Sequence, residues 1–555
     1  MKIVKKRSRR TTASLIPWIA AAGVILILIV LISQEGAGFT SSKFDALRSL
    51  LPASTRADLP VLIIDMPFTE YDRILSQRQE AMASGVVISG AQDFVSADIR
   101  YQDQSVPVEI RLQQGKAVHL GENDKWNFEV RTLNNQLLSG MQRFYLIDPS
   151  DNNWMNEAAF ANALRREGLV AGQYQFVQLF LNGEDKGIYA LQEGFGSELL
   201  ARNGREEGVI VEFDATPLWK SIAYYEGDLE ALTADPISNL SASDFQFFEV
   251  DTFRDANIAQ NEGLTQQKNR AIGLLRGLQS GELAASEVFD VEKYGRFLAL
   301  TDLWGASQTT SLVNLRYYYN PQSNRLEPIG FNGNPLASSQ RLPISATYGD
   351  FDLQSAYVKA SARMSKPDYL AQLQDDLGSE VASYQQVLSN EEELNLPWEA
   401  LEERGGEIGR SLSPLQPVFA YLGPPSLAQE GIIQVDVANV LNLPVEFLGF
   451  DIDGATFLEV DPEWVQKNQE ELLSRHNGEL FLRAQDGDHT RPVRYVRFHL
   501  PVSLILSQDN ELDFLQELDI QIATRIAGLE NIQLTSARPG YPDPLTIQPT
   551  FATDQ

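Results

Sequence analysis

The chain opens with a hydrophobic segment whose pattern differs from that of the rest. Residues 15–32 read LIPWIAAAGVILILIVLI, a run of 18 residues without a charge. A helix of about 20 apolar residues crosses the hydrocarbon core of a bilayer, which is about 30 Å thick. We therefore predict a basic tail at residues 1–13, one transmembrane helix at residues 14–33 and a linker at residues 34–57.

The charges that flank this segment predict its orientation. Residues 1–13 carry six cations and no acid, and Glu35 follows the apolar run. Positively charged flanks stay on the cytosolic side of a membrane. The N-terminus is therefore predicted to be cytosolic and the main body extracytoplasmic, in a single-pass membrane protein. A cleaved signal peptide is the alternative, although its apolar core is shorter, about 7 to 15 residues.

Residues 58–415 mix strand and helix patterns. Apolar and polar residues alternate over residues 106–112, as in a half-buried strand. The dipeptide Asn182-Gly183 separates two further apolar segments and is typical of tight hairpins. Helical spacing of apolar residues occurs at 156–168 and at 290–305. This order of strands and helices predicts an α+β domain.

Residues 428–545 have the pattern of a second, β-rich unit. Several of its segments alternate regularly between apolar and polar residues, as at 518–522. We predict a small β-sandwich, interrupted by one helix near residues 462–476. The unit follows a stretch of helical character at 366–412. Residues 546–555 are predicted to be a loose tail.

Composition excludes several classes of function. The net charge of −30 combines +6 in residues 1–13 with −36 in the remainder, and such an acidic body repels nucleic acid. The absence of cysteine excludes disulfides, thiolate metal sites and a cysteine nucleophile. Glycine-rich phosphate loops and the G-x-S-x-G hydrolase motif are also missing. The partners expected are the membrane and a protein that binds the extracytoplasmic region, with no nucleic acid.

One segment is specific enough to resemble a known family. Residues 176–193 read FVQLFLNGEDKGIYALQE, a strand that leads to an Asn-Gly turn, then to Gly-Ile-Tyr and a glutamate. This pattern resembles the CotH (spore-coat protein H) kinase-like family. The upstream segment KWNFEV is a partial match, and DVEKYGRFLAL and VNLRYYYNPQSNRLEPIGFNGNP are similar to the family's later helix and strands. Together the matching segments span residues 105–335.

The resemblance implies an atypical, secretory-type kinase fold that transfers phosphate from ATP with the help of Mg²⁺. The family keeps one aspartate for the acceptor hydroxyl and another for the metal. Counted from Asn314, those two positions hold Thr309 and Asn332 here, and Asn334 replaces a further acid. The resemblance also implies nucleotide-binding roles for three residues: Lys125, Glu193 and Asn314.

Neutral side chains weaken this chemistry. A hard cation such as Mg²⁺ prefers anionic oxygen ligands, and loss of a general base costs about 10² to 10⁴ in rate. Asp350 and Asp352 could substitute as metal ligands if their segment is extended, or they could be solvated turn residues. Lys125 and Glu193 could form a pair that orients phosphates, or an ordinary salt bridge.

Three functions stay open on the sequence alone. The first is a catalytically degenerate CotH-like protein, a pseudokinase that binds or scaffolds other molecules at the cell envelope. The second is an active ATP-dependent protein kinase or a related nucleotide-dependent transferase that uses displaced acids. The third is a structural protein of the envelope or surface.

Overall fold

A computed structural model describes the chain over residues 59–117, 120, 125–224, 248–253, 255–388, 396–466, 472–484, 493–505 and 519–540. The predicted basic tail, transmembrane helix, linker and C-terminal tail lie outside these residues. Within the described part of the chain, no helix is both long and apolar enough to cross a membrane.

Seven strands close into a barrel at the start of this region. Around the barrel they follow the order β1 (Val61–Asp65), β3 (Val95–Tyr101), β4 (Gln104–Leu112), β6 (Phe128–Thr132), β7 (Arg143–Ile147), β10 (Glu184–Glu193) and β9 (Tyr174–Leu181). The parallel pair of β1 and β9 closes the barrel. Strands β2 (Val86–Val87) and β5 (Gly115–Lys116) pair separately. Helix α1 (Phe68–Ser84), which the sequence analysis did not predict, packs on the barrel.

Two sequence predictions for the barrel are confirmed. The alternating residues of β4 are buried in the barrel core: Val106, Val108, Ile110 and Leu112. Asn182 and Gly183 connect the antiparallel strands β9 and β10 and both have positive φ, 50° and 85°. Both residue types tolerate that left-handed conformation, so the dipeptide forms the predicted hairpin turn.

A second sheet and most of the helices complete the α+β region that precedes the C-terminal unit. The sheet has the order β12 (Val250–Thr252), β11 (Ile210–Phe213), β13 (Arg316–Asn320), β14 (Arg325–Gly330) and β8 (Val170–Ala171). The helices are α2 (Met155–Arg166), α3 (Ser197–Arg202), α4 (Thr216–Tyr224), α5 (Asp255–Ile258), α6 (Glu262–Ser280), α7 (Ala285–Val288), α8 (Val291–Leu303), α9 (Phe351–Met364), α10 (Pro367–Leu388) and α11 (Trp398–Ser411). This mixture of sheets and helices agrees with the predicted α+β class.

Two further sheets share one hydrophobic core in the C-terminal unit. One has the order β21 (Val496–Pro501), β16 (Ile432–Asn439), β15 (Val418–Leu422) and β24 (Arg538–Pro539). The other has the order β19 (Leu473–His476), β20 (Glu479–Leu482), β17 (Val445–Ile452), β22 (Ile520–Ile526) and β23 (Gln533–Ser536), with β18 (Thr456–Glu459) beside β17. Phe447 of β17 stacks on Phe498 of β21 with ring centroids 5.0 Å apart. A short helix, α12 (Ser426–Gln429), lies between β15 and β16.

The helix predicted near residues 462–476 is wrong. The structure has a 3₁₀ turn at Pro462–Trp464 and the strand β19 at Leu473–His476. Strand β19 pairs with β20, and Leu473 joins the shared core. Pairing with a neighbouring strand therefore overrides the local helical pattern. In addition, β15 pairs with β16, so the C-terminal sheets begin ten residues before the predicted boundary at 428.

Helices α8 and α9 pack closely at Gly295. A Cβ atom added at Gly295 would lie 2.6 Å from the carbonyl carbon of Ala356 and 2.7 Å from its Cβ. A Cβ added at Gly378 of α10 would meet no atom within 4 Å. The two glycines therefore form a matched pair for testing this contact.

We expect Gly295→Ala to lower the free energy of unfolding by about 1 to 3 kcal/mol, because overpacking forces two helices apart. Gly378→Ala should raise it by about 0.5 to 1 kcal/mol, because alanine favours the helix and meets no obstacle. Chemical denaturation of both variants checks this. Equal effects of the two substitutions would contradict the close packing of α8 on α9.

Candidate functional site

A cleft of about 810 Å³ lies between the barrel and the segments that flank the second sheet. Gln113 to Lys116, Asn127 and Asp151 line it on the barrel side. Residues 307, 308 and 310–315 and the loop after β14 line the opposite side. Three of the residues singled out by the sequence lie in its wall: Asn314, Asn332 and Asn334. Clefts of about 300 to 1,000 Å³ are typical of small-molecule sites.

Thr309 lies behind this wall rather than in it. It belongs to a 3₁₀ turn, Ser307–Thr310, and has no exposed surface. Its hydroxyl oxygen accepts a hydrogen bond from the backbone N–H of Phe331 at 3.2 Å. The side chain thus fastens the end of β14 to the turn.

The asparagines of the wall stabilise the loop that follows β14. Asn314 donates its amide N–H groups to the carbonyl oxygens of Gln308 at 3.0 Å and Asn332 at 3.4 Å. Asn332 and Asn334 have positive φ, 47° and 48°. Asparagine tolerates this conformation better than most residues with a Cβ. Asparagine at these two positions therefore suits the shape of the loop.

Glu157 is the carboxylate that holds this loop from inside. It lies in the first turn of α2 and is 2% exposed. Its two oxygens accept hydrogen bonds from the backbone N–H groups of Gly333 at 3.0 Å and Asn334 at 2.9 Å. Burial raises the pKa of Glu157 to about 7, and these backbone hydrogen bonds oppose that rise. The role of Glu157 could not be predicted from the sequence. Nothing around a single glutamate beside an apolar run indicates that its partners are Gly333 and Asn334, more than 170 residues away.

A second buried carboxylate, Asp302, holds the continuation of the loop. It accepts hydrogen bonds from Arg341 Nε at 2.8 Å, from the hydroxyl of Tyr357 at 2.7 Å and from the backbone N–H of Leu342 at 2.9 Å. Arg404 donates to the backbone carbonyl of Asp302 at 2.6 Å and to the carbonyls of residues 338–340 at 3.1 to 3.2 Å. Buried ion pairs and hydrogen bonds therefore fix the loop over most of its length.

The comparison with protein families fits this arrangement. Residues 116–331 match the family described as CotH kinase protein. The match confirms the CotH resemblance over that segment, which is less than half of the chain. No curated protein matches the chain. The matched segment ends at Phe331, so the places of Asn332 and Asn334 in the CotH pattern follow from the count from Asn314.

The predicted CotH pair of Lys125 and Glu193 does not form in the structure. Lys125 lies 3.5 Å from Asp148 Oδ1 and donates to the carbonyl of Ile188 at 3.3 Å. Glu193 pairs with Arg202 at 3.2 Å and accepts from the backbone N–H of Gln173. Glu193 lies five positions after Ile188 along β10, about 17 Å at the rise of a strand. Strand geometry thus keeps the two side chains apart.

The structure does not bring Asp350 and Asp352 together in the cleft wall. The segment is helical, not extended, and Asp350 caps α9 by accepting from the backbone N–H of Leu353 at 3.0 Å. Its other oxygen accepts from Ser286. Asp352 contacts His476 of the C-terminal unit at 2.7 Å. Neither residue lies in the cleft wall. Asp350 instead caps a helix, and Asp352 contacts the C-terminal unit.

The described residues do not fit a magnesium nucleotide by their donor chemistry. Asp151 is the sole carboxylate among the residues of the cleft wall, and one of its oxygens accepts from Asn127 at 2.6 Å. Across the described ranges, no group of three or more His, Asp or Glu could hold a metal ion. Mg²⁺ is bound in proteins through carboxylates together with substrate phosphates. The described cleft wall therefore does not supply the carboxylates that would hold Mg²⁺ together with ATP.

We expect Glu157 to make stability depend on pH. Its pKa rises from 4.5 to about 7 on folding, so the folded protein holds the proton more tightly than the unfolded chain. Its contribution to the free energy of unfolding should therefore be largest below pH 4.5 and fall by about 3 kcal/mol as pH rises to 7. Chemical denaturation at several pH values measures this, and Glu157→Gln should remove the dependence.

The matched control is Glu80→Gln, on the exposed surface of α1. It should leave the pH profile unchanged. A profile that Glu157→Gln does not alter would contradict the assignment of the proton to Glu157.

Proposed function

We propose that this protein is a membrane-anchored extracytoplasmic CotH-like protein that acts as a binding or scaffolding module, a pseudokinase, at the cell envelope. The proposal depends on what Thr309 and Asn332 contact. These are the two positions where the resemblance places the aspartates of CotH kinases. Thr309 is buried and bonded to the backbone of Phe331. Asn332 has a positive φ of 47°, and its backbone carbonyl accepts a hydrogen bond from Asn314 at 3.4 Å. Both positions therefore serve the fold.

The charge of the cleft supports the same proposal. Phosphoryl transfer depends on cations that neutralise the charge between phosphates. The charged residues of the cleft wall are Lys116, Asp151 and Arg341, and Arg341 is already paired with Asp302 at 2.7 Å. Little cationic charge is thus left for a triphosphate.

The anchor rests on the apolar run at 15–32 and on the six cations before it. A tethered module with an acidic body would face outward, where the cleft is open to extracytoplasmic ligands. Binding a ligand in this way requires a stable cleft wall but does not require catalysis.

We expect the full chain, purified in detergent, to show no rise in Tm with ATP and Mg²⁺ or Mn²⁺. A ligand at 100 times its Kd adds about 2.7 kcal/mol to the free energy of unfolding, so bound nucleotide is readily detected. Asn332→Asp is the matched variant, because it returns a carboxylate to the metal position of the family. It should strengthen Mg²⁺ binding relative to the wild type.

Transfer of labelled γ-phosphate tests the activity itself. No incorporation into protein substrates is expected from the wild-type chain. A nucleotide-dependent shift together with phosphate transfer by the wild type would overturn the proposal and favour an active transferase.

We also expect the full chain to remain with the membrane after alkaline extraction. Deletion of residues 1–34 should release the rest into the soluble fraction, because about 20 apolar residues supply the anchoring. N-terminal sequencing of the mature protein is the control. A mature chain that begins beyond residue 34 would show cleavage and contradict the anchor.

A further inference from the structure

The wall of the cleft is unusually poor in charge for a protein with a net charge of −30. Three of its 29 residues are charged, whereas 13 carry an amide or an aliphatic hydroxyl group. Arg341 is paired with Asp302, and Asp151 accepts from Asn127. The surface offered to a ligand is therefore polar and close to neutral.

Four amide side chains of the wall make no hydrogen bond to another protein group in the described structure: Gln113, Gln308, Asn334 and Gln340. Gln113 lies on the barrel side, and the other three lie on the opposite side. Each amide offers one acceptor oxygen and two donor hydrogens. A ligand bound between these amides would need groups on two of its sides that can both donate and accept hydrogen bonds.

Hydroxyl groups meet this requirement, since each donates one hydrogen bond and accepts two. Phosphates and carboxylates do not, because they accept only, and the acidic body repels them. Apolar side chains also line the wall, among them the exposed Ala337 and Pro343. Sugar rings combine hydroxyl edges with apolar C–H faces.

We propose that the cleft binds a neutral oligosaccharide through these four amides. This inference rests on the proposed function as a binding module and names its ligand class. No covalent step is involved. Gln308 and Gln340 are exposed, so changing them should alter binding without altering the fold.

The test is calorimetric titration of the full chain in detergent with two uncharged probes, cellotetraose and tetra-N-acetylchitotetraose. At least one of them should bind. The double variant Gln308→Ala with Gln340→Ala should bind about 30-fold more weakly, because the two lost hydrogen bonds contribute about 1 kcal/mol each. Gln374→Ala, on the exposed face of α10, is the matched control and should not change the affinity.

Tetragalacturonate and ATP serve as anionic probes and should not compete. Absence of binding by both neutral probes would overturn the inference, as would equal weakening by Gln374→Ala. Binding of ATP alone, weakened by the double variant, would overturn it in favour of a nucleotide site. Phosphate transfer by the wild type would instead overturn the proposed function, so the two failures are distinguishable.

Discussion

The structure of the cleft depends on one constraint, the need to satisfy the backbone of the loop that follows β14. That loop is irregular, so its N–H and C=O groups do not bond within a strand or helix, although Phe331, Gly333, Pro335 and Leu342 are buried. An unsatisfied buried polar group costs about 1 to 3 kcal/mol. Glu157 accepts from the N–H groups of Gly333 and Asn334, and Arg404 donates to carbonyls further along. Two ionisable residues far apart in sequence thus determine the shape of one wall.

The same constraint accounts for the residue types at the positions predicted to correspond to family aspartates. A threonine at 309 bonds to the backbone of Phe331, and asparagines at 332 and 334 accept positive φ values. Thr309 and the two asparagines therefore suit the loop without carrying a charge. The carboxylates that remain nearby, Glu157 and Asp302, face into the protein and are engaged by the loop. The wall that faces the cleft is left with amides and hydroxyls.

Some elements of the fold could be predicted from the sequence and others could not. The alternation in β4 and the Asn-Gly turn between β9 and β10 were predicted correctly, because both signals are local and periodic. The helix at 462–476 was predicted wrongly, and the extended conformation considered for residues 350–352 is not found, because a helix begins there. In both places the outcome depends on a distant partner: Ser286 for Asp350, and the strand β20 for β19. Helix α1 was missed because it has a narrow apolar face.

Residue type and spacing were enough to predict the α+β character and the CotH resemblance over residues 116–331, and they also predict that Thr309 and Asn332 replace two family aspartates. These follow from residue type and spacing along the chain. The contacts between distant residues could be identified only from the tertiary structure. Glu157 contacts the loop after β14, Lys125 contacts Asp148, and Glu193 contacts Arg202. The physical reason is that these contacts join residues on different elements. Their energies depend on burial and distance, and neither quantity can be read from spacing in the chain.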